Sequence, residues 1–317
     1  MIKALRRLLA PDTAGDPMTE LKWTHRTPEK ISEQLKQLGI DVSPKTVARL
    51  MKKMNYALRV NSKKKSTVKS ALRNEQFEYI KTMQQQFQEA RLPLVSVDTK
   101  KKETLGNFKN AGAAYSKQAW AVNDHDFKRD STGIAIPRGN YDPVANRGHV
   151  CVGSSHDTAA FAVDSLACWW QNEGRRYPGA RQLLILADSG GSNNCRHWGW
   201  KYNLQKKICD RLGLTVTVCH YPPGTSKWNK IEHRLFSQIT RNWRGRPLDS
   251  YETVLNHIRT TKTKTGLAVT ACRLEGDYPL KRKVSKEDIA ALNIHRHHGA
   301  LPQSNWNYTI SPSQKQK

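Results

Sequence analysis

This 317-residue chain contains no long apolar run, which leaves no candidate for a membrane-spanning helix. The opening stretch MIKALRRLLAPDTAGD is basic, with a few apolar residues, and lacks the continuous apolar core of a secretory signal. Acid is scarce: 27 Asp plus Glu stand against 53 Lys plus Arg, a formal net charge of +26. That excess is far beyond what solubility needs. Its usual partner is a polyanion, most often nucleic acid. An anionic membrane is the weaker reading, because no polybasic helix carries a wide apolar face. The six cysteines (Cys151, Cys168, Cys195, Cys209, Cys219, Cys272) form no C-x-x-C pair and follow no even rhythm. They read as reduced, mostly buried thiols of a cytoplasmic, nucleoid-associated protein, and their spacing predicts no structural zinc.

Hydrophobic residues at 37% suffice for a packed core, and the length fits one large domain plus a small one. Residues 1–18 read as a loose lead-in. Residues 19–60 read as a small all-α domain. Thr27-Pro28 is a helix start, with Ile31, Leu35 and Leu38 on one face and Gly39 as the stop. Ser43-Pro44 repeats the signal, and Val47, Leu50, Met51 and Met54 line a second helix whose other faces carry Lys45, Arg49, Lys52 and Lys53. Two short helices with a basic second member predict a DNA-binding helix-turn-helix. A solvated helical hairpin would show the same apolar spacing.

Residues 61–91 read as a basic linker, around VNSKKKSTVKS, and an amphipathic helix with Phe77, Ile80, Met83 and Phe87 at helical spacing. Residues 92–260 alternate short apolar strands with helices. LPLVSVD ends a strand on Asp98, HVCVGSS is a second long strand, and QLLILAD ends another on Asp188 before Gly190-Gly191. LTVTVCHY follows, then a Pro-Pro-Gly turn and the helix NKIEHRLFSQITRNW with Glu232 near its start. This succession predicts a mixed α/β sheet covered by helices. Residues 261–317 read as a basic, irregular extension.

Asp98, Asp188 and Glu232 each sit where a strand end or a neighbouring helix presents a side chain to one cleft. An Asp at a strand end also commonly caps the next turn, and a Glu near a helix start complements the dipole. Three carboxylates brought together repel unless a cation neutralises them. Two Mg²⁺ ions about 3.5–4 Å apart, held by such acids, can activate a nucleophile and stabilise a leaving oxygen at a phosphodiester. His156-Asp157 stands at the end of the strand HVCVGSS, so either could sit near the metals, while Asp157 reads more readily as the N-cap of the following helix. Asn193 reads as a DNA contact or as an orienting partner of Asp188. Lys100, Lys101 and Lys102 follow Asp98 directly and read as phosphate contacts, as do Lys227 and Lys230, while Trp228 could stack on a base. Asp124-His125-Asp126 reads as a turn, and metal binding by His295, His297 and His298 is a weak possibility.

The blocks LVSVDTKKKETLGNFKNAG, SHDTAAFAV, LILADSGGSNN and YPPGTSKWNKIEHRLFSQI closely resemble the Rhodopirellula-type DDE transposases of bacterial insertion sequences. The resemblance runs over about residues 20 to 312. It implies an RNase H-like catalytic fold, with the Asp-Asp-Glu triad on Asp98, Asp188 and Glu232. It further implies two Mg²⁺ ions, with Mn²⁺ as a substitute, and duplex DNA as partner: the terminal repeats of the element and a target. Water would nick the element's ends, and the freed 3′-OH would attack target DNA, without ATP and without a covalent enzyme intermediate. Two ends held together imply a homo-oligomer on DNA. Members of the family usually carry more helical sequence before the helix-turn-helix. That departure raises an alternative: a shortened, inactive DNA-binding derivative acting as a regulator.

Overall fold

The computed structural model describes residues 1–9, 14–15, 22–23, 27–54, 56, 72–225, 228–298 and 305–313. They fall into two compact units, 1–65 and 66–317. The expected basic linker lies outside the described residues.

The first unit contains α1 (Ile2–Leu9), a short antiparallel ladder of β1 (Ala14–Gly15) and β2 (Lys22–Trp23), α2 (Pro28–Gln37) and α3 (Pro44–Lys53). The two predicted helix starts are real caps. Thr27 Oγ1 accepts from the Lys30 amide at 3.4 Å, and Ser43 Oγ from the Thr46 amide at 3.3 Å. Gly39 leaves α2 at φ 76°, a left-handed conformation that a side chain would strain. Ile31, Leu35, Val47 and Leu50 then close on one another, and Leu5 and Leu9 of α1 join them. The loose lead-in expected over residues 1–18 is therefore corrected at residues 2–9, because two leucines four apart give α1 an apolar face to bury. Lys45, Arg49, Lys52 and Lys53 stay exposed on α3.

The second unit runs α4 (Arg73–Glu89), β3 (Leu94–Thr99), β4 (Glu103–Leu105), β5 (Gly133–Asp142), β6 (Arg147–Gly153), α5 (Ala159–Glu173), β7 (Gln182–Ala187), α6 (Trp198–Asn203), β8 (Thr215–His220), α7 (Ser237–Asn242), α8 (Tyr251–Arg259), β9 (Ala268–Arg273), α9 (Lys286–Ala290), β10 (Ile294–Arg296) and β11 (Asn307–Ile310). Among the described residues the sheet order is β10-β11-β8-β7-β3-β5-β6-β9, with β4 on β5. β3 is the hub. It runs antiparallel to β5, which pairs antiparallel with β6, and parallel to β7, which pairs parallel with β8. This is the RNase H-like mixed sheet that the resemblance implied, flanked by helices.

Strand alternation sorts the core into two faces. Val95, Val97, Leu183, Ile185, Val216 and Val218 pack with Ala162, Val163 and Leu166 of α5 and with Trp200 of α6. On the other face, Leu94, Leu184 and Leu186 meet Ile80 and Phe87 of α4, while Tyr141, Val150 and Val152 meet Ile239 of α7 and Val254 and Ile258 of α8. α4 thus belongs to the sheet's own core. The irregular reading of residues 261–317 is also corrected. β9 extends one edge of the sheet, and β11 and β10 extend the other. β9 and β10 are partly exposed and β11 has only four residues, so their sequence carries little alternation to read.

Candidate active site

Val97 and Ala187 are the last register partners of the parallel pair β3·β7. Asp98 and Asp188 are the next residue of each chain, so the two carboxylates emerge side by side where the strands end. The physical consequence is visible in Asp98. Burial, then the neighbouring Asp188 charge, pushes its carboxyl up to about 8 against the pull of Arg138 and the Thr99 amide, with Glu232 adding to the repulsion. The Thr99 amide donates to Asp98 Oδ1 at 2.7 Å. Asp188 is also raised, first by burial and further by Asp157, while Asn193 and Arg138 pull the other way. A site that resists ionising its acids is one that a cation would relieve.

Two features hold the Glu232 segment near Asp98. Glu232 opens a π-helical turn, Glu232–Phe236, that continues into α7. A Cβ on Gly139, the register partner of Asp98, would stand 2.6 Å from Phe236 Cε1 and 2.8 Å from Ile231 Cδ1; one on Gly148 would stand 2.5 Å from Leu235 Cδ1. Only glycine lets this turn lie so close to β5 and β6. The second feature is Asn229, fully buried. Its Oδ1 accepts from Ser96 on β3 and its amide donates to the Val97 carbonyl at 3.3 Å. The Glu232 amide in turn donates to the Asn229 carbonyl at 3.2 Å. The Glu232 segment is therefore fastened to the strand that carries Asp98.

Arg138 is the residue that sequence reasoning missed. It lies on β5 opposite Thr99 and is 1% exposed. Its Nη1 donates to Thr99 Oγ1 at 2.9 Å, Ser192 Oγ at 3.0 Å and Asn193 Oδ1 at 2.9 Å, whereas Nε and Nη2 find no hydrogen-bond acceptor. Burial lowers its pKa, and Asp157, Asp98 and Asp188 together oppose that shift. It is thus the buried counter-charge of an acidic cleft. A lone arginine inside the strand GIAIPRGNYD carries no sequence signal of this role.

Two expectations change here. Thr158, not Asp157, caps α5: its Oγ1 accepts from the Phe161 amide at 3.4 Å. Asp157 instead accepts from Thr99 Oγ1 at 3.2 Å and faces the acids as a fourth carboxylate. Asn193 is 1% exposed, which removes it from any DNA surface. Its amide donates to Asp188 Oδ1 at 2.7 Å and to the Asp188 carbonyl at 3.0 Å, so it orients Asp188. His220, buried on β8, holds the same carbonyl from the other side, with Nδ1 2.8 Å away.

The basic candidates separate by placement. Lys101 and Lys102 are exposed. Lys100 is 7% exposed, with Nζ 2.7 Å from Glu103 Oε1 and 4.3 Å above the Trp243 ring, so it is a packed ion pair and not a phosphate contact. Lys230 Nζ donates to Gln84 Oε1 at 3.0 Å. Trp228 is 55% exposed and meets Phe77 edge-on at 6.0 Å. Lys227 lies outside the described residues. His297 bonds Tyr79 and Thr309, and His298 bonds Asn307; among the described residues neither joins a metal-ligand group. A groove of about 690 Å³ opens beside Asp157, lined among others by Lys102, Lys206, Lys281, Arg282 and Lys283.

A family model described as the Rhodopirellula transposase DDE domain matches residues 4–312. The chain belongs to this transposase family. No curated protein matches the sequence. Similar solved structures include the Mos1 transposase paired-end complex with left transposon end, at 16% identity and TM-score 0.42, covering 80% of this chain and 68% of that one. The Mos1 mariner paired-end complexes with Mn and with Mg are similar at 15% identity each, with TM-scores of 0.43 and 0.41 and the same coverage of both chains. No described helix of this transposase is long and apolar enough to span a membrane.

Proposed function

We propose that this transposase cleaves DNA at the ends of its insertion sequence and transfers the resulting 3′-OH into target DNA, using Asp98, Asp188 and Glu232. The observation that carries the reading is the pairing of Asp98 with Asp188 at the ends of adjacent parallel strands, within electrostatic reach of Glu232, in a chain of net charge +26. The donor set fits hard divalent cations. Asp188 and Glu232, the acids that act on Asp98, are oxygen donors, and burial together with the Asp188 charge raises the Asp98 carboxyl. Mg²⁺ or Mn²⁺ held by Asp98, Asp188 and Glu232 would activate the attacking hydroxyl and stabilise the leaving oxygen.

The chain's own residues do the positioning. Asn193 and His220 fix the Asp188 backbone and side chain. Asn229 fastens the Glu232 segment to β3. Arg138 offsets the charge of Asp98, Asp157 and Asp188, so that the acids can share one cleft before any cation arrives. The groove beside Asp157, with Lys102, Lys281, Arg282 and Lys283, supports a track for the phosphate backbone. The exposed Lys45, Arg49, Lys52 and Lys53 on α3 support recognition of duplex DNA by a helix-turn-helix, and two bound ends call for more than one copy of the chain.

The deciding experiment is strand cleavage of labelled duplex from the element's flanks, with Mg²⁺, Mn²⁺ or EDTA. Wild type is expected to nick at the element end only with metal, and Asp188→Asn and Glu232→Gln to nick below detection while still binding the duplex. Binding without cleavage in either metal by wild type would instead make the chain a DNA-binding regulator.

A further inference from the structure

Outside the set of carboxylates, β6, α5 and β9 bring together His149, Cys151, Cys168 and Cys272, with Cys151 the register partner of Arg138. Their ligand atoms all lie within 4.8 Å of one another. His149 and Cys151 are two apart on β6, so they share a face, and Val150 between them points into the opposite core. Cys272 is the register partner of Cys151 on the parallel neighbour β9. Cys168 comes down from α5, which covers that face.

We infer that these four side chains form a structural zinc site of Cys₃His type. Edge lengths are the strongest argument. A tetrahedral zinc with Zn–S of about 2.3 Å and Zn–N of about 2.0–2.1 Å requires S···S edges of about 3.8 Å and S···N edges of about 3.5 Å. The cluster shows Cys151–Cys272 at 3.6 Å, Cys168–Cys272 at 3.5 Å, Cys168 to His149 Nε2 at 3.4 Å and Cys272 to His149 Nε2 at 3.7 Å. A disulfide would bring two sulfurs to about 2.0 Å, and all three cysteines are free.

The surroundings suit a thiolate-bound cation. His149 Nδ1 sits 2.8 Å from Thr270 Oγ1, which fixes the ring and leaves Nε2 toward the sulfurs. Metal-binding histidines are commonly held this way through their other nitrogen. The Asn172 amide stands 3.6 Å from Cys168 Sγ. Three thiolates and one Zn²⁺ leave a net charge of −1, and Arg259, anchored on the Ala271 carbonyl at 3.1 Å, places a positive charge beside Cys272. Soft sulfur with one imidazole selects zinc over Mg²⁺ or Mn²⁺, so this ion would not be interchangeable with the ions of the cleft. It would tie the edge strand β9 to α5 and β6.

The test uses the full chain, purified reduced from zinc-supplemented cells and dialysed against Mg²⁺ buffer. Elemental analysis is expected to find one zinc per chain in wild type, in an Asp188→Asn/Glu232→Gln double variant, and in Cys195→Ser, which alters a buried thiol outside the cluster. Cys272→Ser and His149→Ala are expected to lose it. Co²⁺ exchanged into wild type should give thiolate-to-cobalt charge transfer and intense visible bands of tetrahedral coordination, a readout that needs no folded variant. Three results would overturn the site: no stoichiometric zinc in reduced wild type, zinc lost with the triad but kept in Cys272→Ser, or a cobalt spectrum without thiolate charge transfer. None of these readouts depends on DNA cleavage.

Discussion

His149 and His220 lie on opposite sides of β3, each two strands out from it, on β6 and β8. Both are nearly or fully buried, at 3% and 0% exposed, and each has an Nδ1 placed against a fixed oxygen. They differ in what Nε2 meets. For His220 it is the Tyr308 hydroxyl at 3.3 Å, itself an acceptor for Trp200 Nε1 at 2.9 Å. For His149 it is two thiols. The same side chain therefore serves as a neutral strut behind the carboxylate cleft on one side and as a candidate soft-metal ligand on the other. One sheet carries two polar sites of opposite chemistry, hard oxygens at its strand ends and soft sulfurs on its α5 face.

If the two sites are built independently, a blow to the cleft should leave the thiol cluster intact. Arg138→Met is the strongest such blow. It removes the buried counter-charge from Asp98, Asp157 and Asp188, and breaking a buried charge network of this kind costs about 3–5 kcal/mol. The loss is expected at pH 8, by denaturant unfolding in EDTA-free Mg²⁺-depleted buffer. It should shrink toward pH 5, because Asp98, raised to about 8, is then protonated and no longer needs the guanidinium. Zinc content should stay as in wild type. A pH-independent loss would mean that Arg138 acts by packing alone.

A smaller effect separates the two histidines. Burial lowers His220 to about 4 from 6.5, against the pull of the Asp188 carbonyl. A folded value below the unfolded one means that the unfolded chain takes the proton first. Stability contributed by neutral His220 is thus complete above pH 6.5 and falls as the pH drops toward 4, by about 3 kcal/mol in all. The check is the slope of unfolding free energy between pH 6.5 and 4, compared between wild type and His220→Gln. The variant is expected to lose most of that slope, and an unchanged slope would remove His220 from the support of Asp188.

How much of this was readable in the residues depends on distance along the chain. The cleft was legible because each acid sits in its own contiguous block: LVSVD, LLILAD and SKWNKIEH each pair an acid with a local strand or helix signal. Arg138 was not, since its meaning comes only from the register that sets it against Thr99. Asn229 stood between residues chosen for their charge, and its burial is invisible in a polar stretch. The thiol cluster was the least legible. Its members are contributed by two parallel strands and a helix, with Cys151 and Cys272 121 residues apart, so the short ligand spacings of zinc ribbons never arise. The alternation His149-x-Cys151 on one strand face was the only local trace. The C-terminal strands failed for a related reason: β9 and β10 are partly exposed edge strands, and β11, though mostly buried, is only four residues long.

The cleft's own strain offers the finest test of the comparison. Asp98 has a folded value of about 8 against 3.8 for the free group. A raised carboxyl contributes its full stability below pH 3.8, and that contribution is lost as the pH rises through 8. In EDTA, Asp98→Asn removes the ionisable group and should therefore raise Tm, by an amount that is negligible near pH 4 and greatest above pH 8. The gain would be on the order of 10 °C, at about 2 °C for each kcal/mol in a domain of this size. Adding Mg²⁺ at pH 8 should raise the Tm of wild type and leave the variant nearly unmoved, since the cation relieves the same repulsion that the substitution deletes. A variant less stable than wild type at pH 8 would mean that Asp98 is held by favourable contacts, and the cleft would then no longer differ from the thiol cluster in being strained until a cation binds.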